Sequence, residues 1–305
     1  TYSIVGRYSL CLRKPQDQVR LRRKTAMAAE TRLTSTTVDK ILNLPAQARR
    51  LRLPWIPLTV VVVLLVCAAF APLLTPYDPS RTSITESRTA PGESLSHPLG
   101  TDVLGRDVLA RLIYGARTAM FISLVALGTG ALVGTALGLI SGYRGGWLDV
   151  LIMRAADAAL GFPTILVAMI IVTIMGAGIQ NIILAVVLTV WARFARMIRG
   201  DTLSVKELDF VVFAKIAGLS TPMIIFRHIF PNTINTLMVI TSLLVGQVIL
   251  LEASLSFLGL GLPPGSPAWG IMISEGKDEI LNVWWLSLFP GIAITVVVLA
   301  FNFFG

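Results

Sequence analysis

The sequence predicts an all-α, polytopic membrane protein with six transmembrane helices, and three observations carry that expectation. Of 305 residues, 54% are hydrophobic and only 14% charged, against about 25% charged in soluble domains, and mean hydropathy is +0.76. Five uncharged runs, at 53–77, 118–143, 158–192, 229–251 and 280–305, are each long enough to cross a hydrocarbon core that needs about 20 apolar residues. Lysine and arginine are distributed unevenly between those runs. So few charges cannot wet the surface of a soluble enzyme of this size, and so many apolar residues exclude a disordered chain.

Residues 1–52 form a basic tail, with twelve Lys/Arg against three acids, while the remainder is balanced. The net charge of +9 therefore belongs to the tail. Nucleic-acid binding would need a basic face on a folded domain with motif support, and the sequence offers none. A basic segment before an apolar one marks the cytoplasmic side of a membrane. Met27-Ala-Ala-Glu reads as a translation start. The first helix, 53–77, is too long for a signal-peptide core, and Pro72 and Pro76 stand where small cleavage-site residues would be. It is read as a retained anchor, which makes 78–117 an extracytoplasmic loop. Within it, 101–116 places Leu104, Val108, Leu109, Leu112 and Ile113 on one face, with Asp102, Arg106, Asp107 and Arg111 elsewhere. That pattern predicts an interfacial helix leading into the second span.

The core is 118–305. Gly130, Gly134 and Gly138 repeat at i, i+4, i+8 on the second helix, a small-residue face suited to close helix packing. The 158–192 run, as one helix, would be about 52 Å long at 1.5 Å per residue. Gly176-Ala-Gly178-Ile-Gln180-Asn181 divides it. The third helix then starts near Trp147 and carries Arg154 and Asp157, read as a local i,i+3 ion pair or a gate, with a kink at Pro163. The fourth runs to about Met197. Glu252 ends the fifth apolar run; it faces the pathway or is a structural acid tied to Ser254 or Ser256. Residues 258–270, rich in Gly and Pro and holding Trp269, form a re-entrant segment, a docking segment or an ordered loop. The sixth helix reaches Gly305, which predicts a polar continuation. With the N-terminus inside, the basic loops face the cytoplasm, as do both termini. Cys11 and Cys67 make no disulfide framework. His97 and His228 are far apart without ligand-like neighbours, so no metal site is expected.

Residues 204–232 do not read as a linker. Ser204-Val-Lys-Glu207 fits a capping box, a short helix follows through Ala214 and Ala217, and Gly218 fits the position where a left-handed residue stops a helix. Thr221 as N-cap and Pro222 at the first helical position restart one, and Pro231-Asn232 marks entry into the fifth span. Phe210, Val211, Phe213 and Ala214 give the first short helix an apolar face. Such a face fits either a surface-lying linker or a partner groove.

The stretch "FAKIAGLSTPMIIFRHIFPN" resembles the EAA loop of ABC importer permeases. Ala214, Gly218, Phe230 and Pro231 fit that pattern, whereas Val212 and Phe213 stand where the signature has Glu and Ala. Four further stretches, "HPLGTDVLGRDVLARLIYGAR" (97–117), "MRAADAALGFPTIL" (153–166), "EASLSFLGLGLPPGSPAWG" (252–270) and "LFPGIAITVVVLAFNFFG" (288–305), resemble the C-type subunit of dipeptide, oligopeptide and nickel permeases. The resemblance covers about residues 54–305. It implies a type I ABC importer permease fold in a bacterial cytoplasmic membrane. It implies as partners a second, B-type permease subunit, two ATP-binding subunits and an extracytoplasmic solute-binding protein, besides membrane lipid. ATP and Mg would sit on the ATPase subunits, with no cofactor on this chain. The loop at 204–232 would couple to an ATPase through Glu207, Phe210, Ala214, Gly218, Leu219, Ile225, His228, Pro231 and Asn232. The solute it implies is a di- or oligopeptide, with a nickel complex, glutathione or a sugar as alternatives.

The chain's own motifs agree that hydrolysis lies elsewhere. No G-x-x-x-x-G-K-[ST] occurs; Gly276-Lys277 has Ile271 where the first glycine should be. Gly128-x-Gly130 and Gly259-x-Gly261 lie in or beside apolar segments rather than after strands. No catalytic residue is assigned, and an intramembrane enzyme lacks its motifs. A stand-alone secondary transporter would need inverted repeats and coupling charges, for which only Glu252 and the Arg154/Asp157 pair qualify.

Overall fold

The computed structural model describes residues 55–304. The expectations for the basic tail, Cys11, Met27, residues 53–54 and Gly305 lie outside them. The described residues contain no strand. The elements are α1 (Trp55–Leu74), a 3₁₀ turn (Ile84–Glu86), α2 (Val108–Arg144), α3 (Gly146–Gly161), α4 (Thr164–Met175), α5 (Ile179–Val205), α6 (Asp209–Ile216) and α7 (Thr221–Ile224), followed by a π turn (Ile225–Ile229), α8 (Phe230–Phe257), α9 (Trp269–Gly276) and α10 (Trp285–Phe304).

Five spans, namely α1, α2, α5, the α7-to-α8 rod and α10, are long and apolar enough to cross a membrane. The sixth is broken: α3 and α4 meet at an angle of 87°. A kink was expected at Pro163. The chain instead leaves the helix at Phe162, which is extended, and restarts after Pro163. Proline forces its predecessor out of the α region and cannot donate to the preceding turn. The division at Gly176 stands as read, with that glycine at φ +89°. In α1, Phe70 leaves helical geometry two residues before Pro72, where the proline ring crowds the preceding turn.

The second span differs from the expectation. There is no separate interfacial helix over 101–116; α2 starts at Val108 and runs unbroken to Arg144. Asp107 caps it, its carboxylate accepting from Ala110 N at 2.6 Å. Residues 101–107 are a tight turn in which Asp102 Oδ1 accepts from Leu104 N and Arg106 N. The charges read as a wetted face are buried. Arg111 is fully buried and its Nη1 lies 2.7 Å from both Asp102 Oδ2 and Glu275 Oε2. Arg106 contacts the same two carboxylates at 2.6 and 2.8 Å. The compensating Glu275 comes from α9, far along the chain, so no local pattern announced it. His97 is not without acidic neighbours either. Its Nδ1 is 2.8 Å from Asp107 Oδ2, and its Nε2 is 3.5 Å from Glu86.

Two tryptophans pin this end of the bundle. Trp269 Nε1 donates to Leu112 O at 2.9 Å and its ring covers Gly115, and Trp285 Nε1 donates to Thr101 O at 3.0 Å. The 258–270 segment is thus an ordered loop delivering Trp269 and α9 into a core with Leu64, Ile249, Met272 and Leu286.

The central contact is α2 against α5. A Cβ at Gly134 would lie 2.3 Å from Trp191 O, at Gly138 2.6 Å from Ala195 O, and at Gly142 2.7 Å from Thr202 Cβ. Gly130 meets Val190 less tightly, at 3.4 Å. The glycine row is therefore one turn longer than the three positions singled out from sequence. Between helices with lipid-like surfaces, close van der Waals contact of this kind is what association rests on.

Two stability predictions follow from these contacts. Gly134→Val should lower resistance to denaturation in detergent by about 1–3 kcal/mol, while Gly128→Val, whose Cβ meets open space, should be neutral. Arg111→Met should cost about 3–5 kcal/mol in the same titration, because it strips a buried partner from Asp102 and Glu275.

Candidate functional site

The segment between α5 and α8 forms a helix-turn-helix knob at one end of the bundle. Its entry is not the expected capping box. Ser204 still belongs to α5 and donates back to Gly200 O at 3.3 Å, and Glu207 is exposed. The α5 helix, already hydrogen-bonded, outcompetes the cap. Lys206 Nζ donates to Gly142 O at 3.1 Å, tying the turn to α2. Leu208 is the N-cap of α6, without a side-chain bond. Asp209 in the first turn and Lys215 in the last suit the helix dipole.

The turn at Gly218 is as the sequence suggested. Gly218 has φ +79°, its N–H donates to Lys215 O at 3.0 Å, and Leu219 N–H donates to Ala214 O at 3.2 Å. These are the two bonds of a Schellman stop, and the left-handed residue in it favours glycine. The restart is shifted by one residue: Ser220, not Thr221, is the N-cap, and Pro222 lies in the first turn. The expected entry at Pro231-Asn232 is not a boundary either. The chain passes from α7 through the π turn directly into α8. Pro231 cannot donate to the preceding turn and would crowd it, and the wider π turn relieves that conflict. Asn232 Nδ2 donates to His228 O at 2.6 Å and Thr233 Oγ1 to Phe230 O at 2.9 Å, so side chains close the root of the rod.

The knob has two apolar sides. Val211, Ala214, Ile224 and Ile229 are buried on Leu139 of α2 and Ile198 of α5, with Leu219 and Ile225 packed at the margin. Phe210 and Phe213 do not share that face. Phe213 is 68% exposed, Ile216 77% and Phe226 70%, and Phe210, also exposed, tilts against the His228 ring at 6.3 Å. Lys215 Nζ lies over the Tyr143 ring at 5.4 Å. Ile216 and Phe226 were missed from sequence. The signal was present in Asp209–Ile216, where six of eight residues are apolar, too many for one buried stripe.

The intramembrane candidates are dispersed. Glu252 is 2% exposed and accepts from Ser256 Oγ at 2.7 Å, whereas Ser254 donates to its own helix at Leu250 O. Arg154 and Asp157 do not pair. Asp157 binds Arg196 of α5 at 2.5 Å, and Arg154 is exposed without an ion partner among the described residues. The neighbouring helix offers a better-placed cation than the next turn of α3. Further along the same two helices, Asp149 takes Arg199 through two bonds, at 2.5 and 2.6 Å. Among the described residues no three His, Cys, Asp or Glu side chains group as metal ligands.

Comparison with known proteins places this arrangement. Residues 134–305 match the family profile described as binding-protein-dependent transport system inner membrane component, and residues 47–91 match the N-terminal TM domain of oligopeptide transport permease C. The glutathione transport system permease protein GsiD of Pectobacterium atrosepticum is 40% identical over 245 residues, 80% of this chain and 81% of that protein. The dipeptide transport system permease protein DppC of Alkalihalophilus pseudofirmus is 40% identical over 260 residues, 85% and 84% of the two chains. GsiD of Escherichia coli O157:H7 is 40% identical over 80% of each. The chain therefore belongs to the family of binding-protein-dependent transport system inner membrane components, as a permease of the ABC type.

Proposed function

We propose that this chain is the C-type permease subunit of an ATP-driven importer of di- and oligopeptides. It pairs with a second permease subunit, docks one of two ATP-binding subunits through the knob, and receives solute from an extracytoplasmic binding protein. The observation that carries the docking role is the outward apolar surface of Phe213, Ile216 and Phe226 on a knob whose other side is fixed to α2 and α5. Such a surface on a charged, basic end of a membrane bundle is expensive to leave in water and fits a groove. ATP and Mg belong to the partners.

The basic residues Arg199, Lys206, Lys215 and Arg227 gather at the knob end, which favours a cytoplasmic knob and cytoplasmic termini. The knob continues into α8 without a break, so force applied at α6 reaches the membrane as a tilt of a rod rather than the flexing of a loop. That is the movement alternating access requires. The peptide reading is supported by the relatives named for dipeptide and glutathione transport, both short peptides. Glutathione is the second reading, favoured by the same names, and competition between labelled dipeptide and glutathione for uptake separates the two.

Replacing Phe213→Asp together with Ile216→Asp should leave membrane insertion intact and cut both recovery of the ATP-binding subunits and solute uptake at least tenfold. Unchanged recovery would contradict the docking role. For orientation, Phe213→Cys in a Cys11→Ala/Cys67→Ala background should react with an impermeant maleimide in inside-out vesicles lacking the ATP-binding subunits and not in right-side-out ones.

A further inference from the structure

Three arginines of α5, Arg193, Arg196 and Arg199, follow at intervals of three residues. Two have carboxylate partners, Asp157 for Arg196 and Asp149 for Arg199. Arg193 has none among the described residues. Its Nη1 donates to the neutral amide oxygen of Gln247 on α8, and its Nη2 lies 3.5 Å from Thr164 Oγ1 at the start of α4. A cavity of about 250 Å³ opens on these three side chains and is completed by Ser254, Leu244 and Leu251.

The depth of this group matters. Arg193 lies about 21 Å along α5 from Ile179, at 1.5 Å per residue, and Thr164 lies about 17 Å along α4 from Met175. Measured from those helix ends, the group lies inside a hydrocarbon core roughly 30 Å thick, in the half nearer the knob. An arginine facing lipid there costs about 2.5 kcal/mol or more, so the face that carries it borders water or another polar surface. The half-exposed Arg196–Asp157 pair continues the same strip one turn toward the knob. A guanidinium has five N–H donors in a planar fork. Gln247 and Thr164 occupy two directions, and the rest of the fork is open to a planar anion, for which bidentate carboxylate is the best match.

We propose that Arg193, held by Gln247 and Thr164, is a carboxylate-binding subsite on the solute path, taking the free carboxylate of a peptide in transit. Ser254 and the leucines of the cavity then face the solute's uncharged part. The proposal rests on the peptide-importer reading above. A neutral holder is what a transient site needs, because a resident carboxylate would compete with the solute, and the full positive charge is available only while the site is empty.

The test uses the complete importer in proteoliposomes, with Cys11→Ala, Cys67→Ala and Ser254→Cys. The reaction rates of a sulfonate and a trimethylammonium methanethiosulfonate reagent are compared. An open cation beside position 254 should favour the sulfonate at least tenfold relative to the same protein carrying Arg193→Gln, with Arg193→Lys retaining most of the preference. Millimolar alanyl-alanine should slow the sulfonate reaction and its C-terminal amide should not. Leu250→Cys, on the rim of the same cavity, serves as a second reporter if Ser254→Cys assembles poorly. Equal rates for the two reagents, the result expected if the second permease subunit supplies a carboxylate to Arg193, would overturn the proposal, as would equal protection by acid and amide. Uptake of labelled dipeptide is measured on the same vesicles without the reporter cysteine. Loss of uptake there strikes the peptide reading, whereas intact uptake with no charge preference strikes Arg193 alone.

Discussion

The glycine row of α2 against α5 is the constraint on which the other features depend. At Gly134 and Gly138 the backbone of α5 is so near that no side chain fits between the helices. Inside a bilayer the hydrophobic effect does not drive helices together, and the closeness of two backbones is what makes contact between them favourable. The seam also sets everything attached to it. At one end Leu139 and Ile198 form the floor on which the knob sits. At the other end α2 emerges into the turn at 101–107, where Asp102, Arg106, Arg111 and Glu275 bind α9 to its side. A shift along the seam would move the knob and this charged cluster together.

The membrane-spanning plan was legible because its signals are local. Run length, the Gly176 turn, the helix stop at Gly218 and the i, i+4, i+8 glycines each follow from a few neighbouring residues. The misread ion pairs share one cause, a partner distant in sequence, whereas the misread helix ends come from helices running on past local signals. Asp102 and Arg111 looked like a wetted face because Glu275 was not in view. Arg154 and Asp157 looked like a pair because Arg196 was not. Ser204 looked like a cap because nothing local shows that α5 runs through it. At the knob, sequence found the stop and the apolar character of α6 but not which residues turn outward, since Phe213 and Val211 differ in fate only through the floor that α2 and α5 provide.

The knob and the Arg193 group are joined through one helix. The knob is rigid on its bundle side and apolar on its outer side, and it passes through a π turn into α8. The same α8 carries Gln247 into contact with Arg193 inside the bundle. If the knob couples to a motor as proposed, movement of the rod at one end would change the setting of a polar group at the other. The broken α3–α4 span provides a joint at this level, because its bend at Phe162-Pro163 lies beside Thr164, which also faces Arg193. A packed bundle with such joints switches between arrangements more readily than it deforms continuously.

In the proposed assembly the outer face of the knob is covered by an ATP-binding subunit. A photo-activated amino acid placed at position 216 of the assembled importer, with adducts identified by mass spectrometry, tests it most directly. The account predicts a single major adduct to the ATP-binding subunit, its yield changing between nucleotide-free and ATP-bound states. Adducts to lipid or to the second permease subunit alone would contradict it.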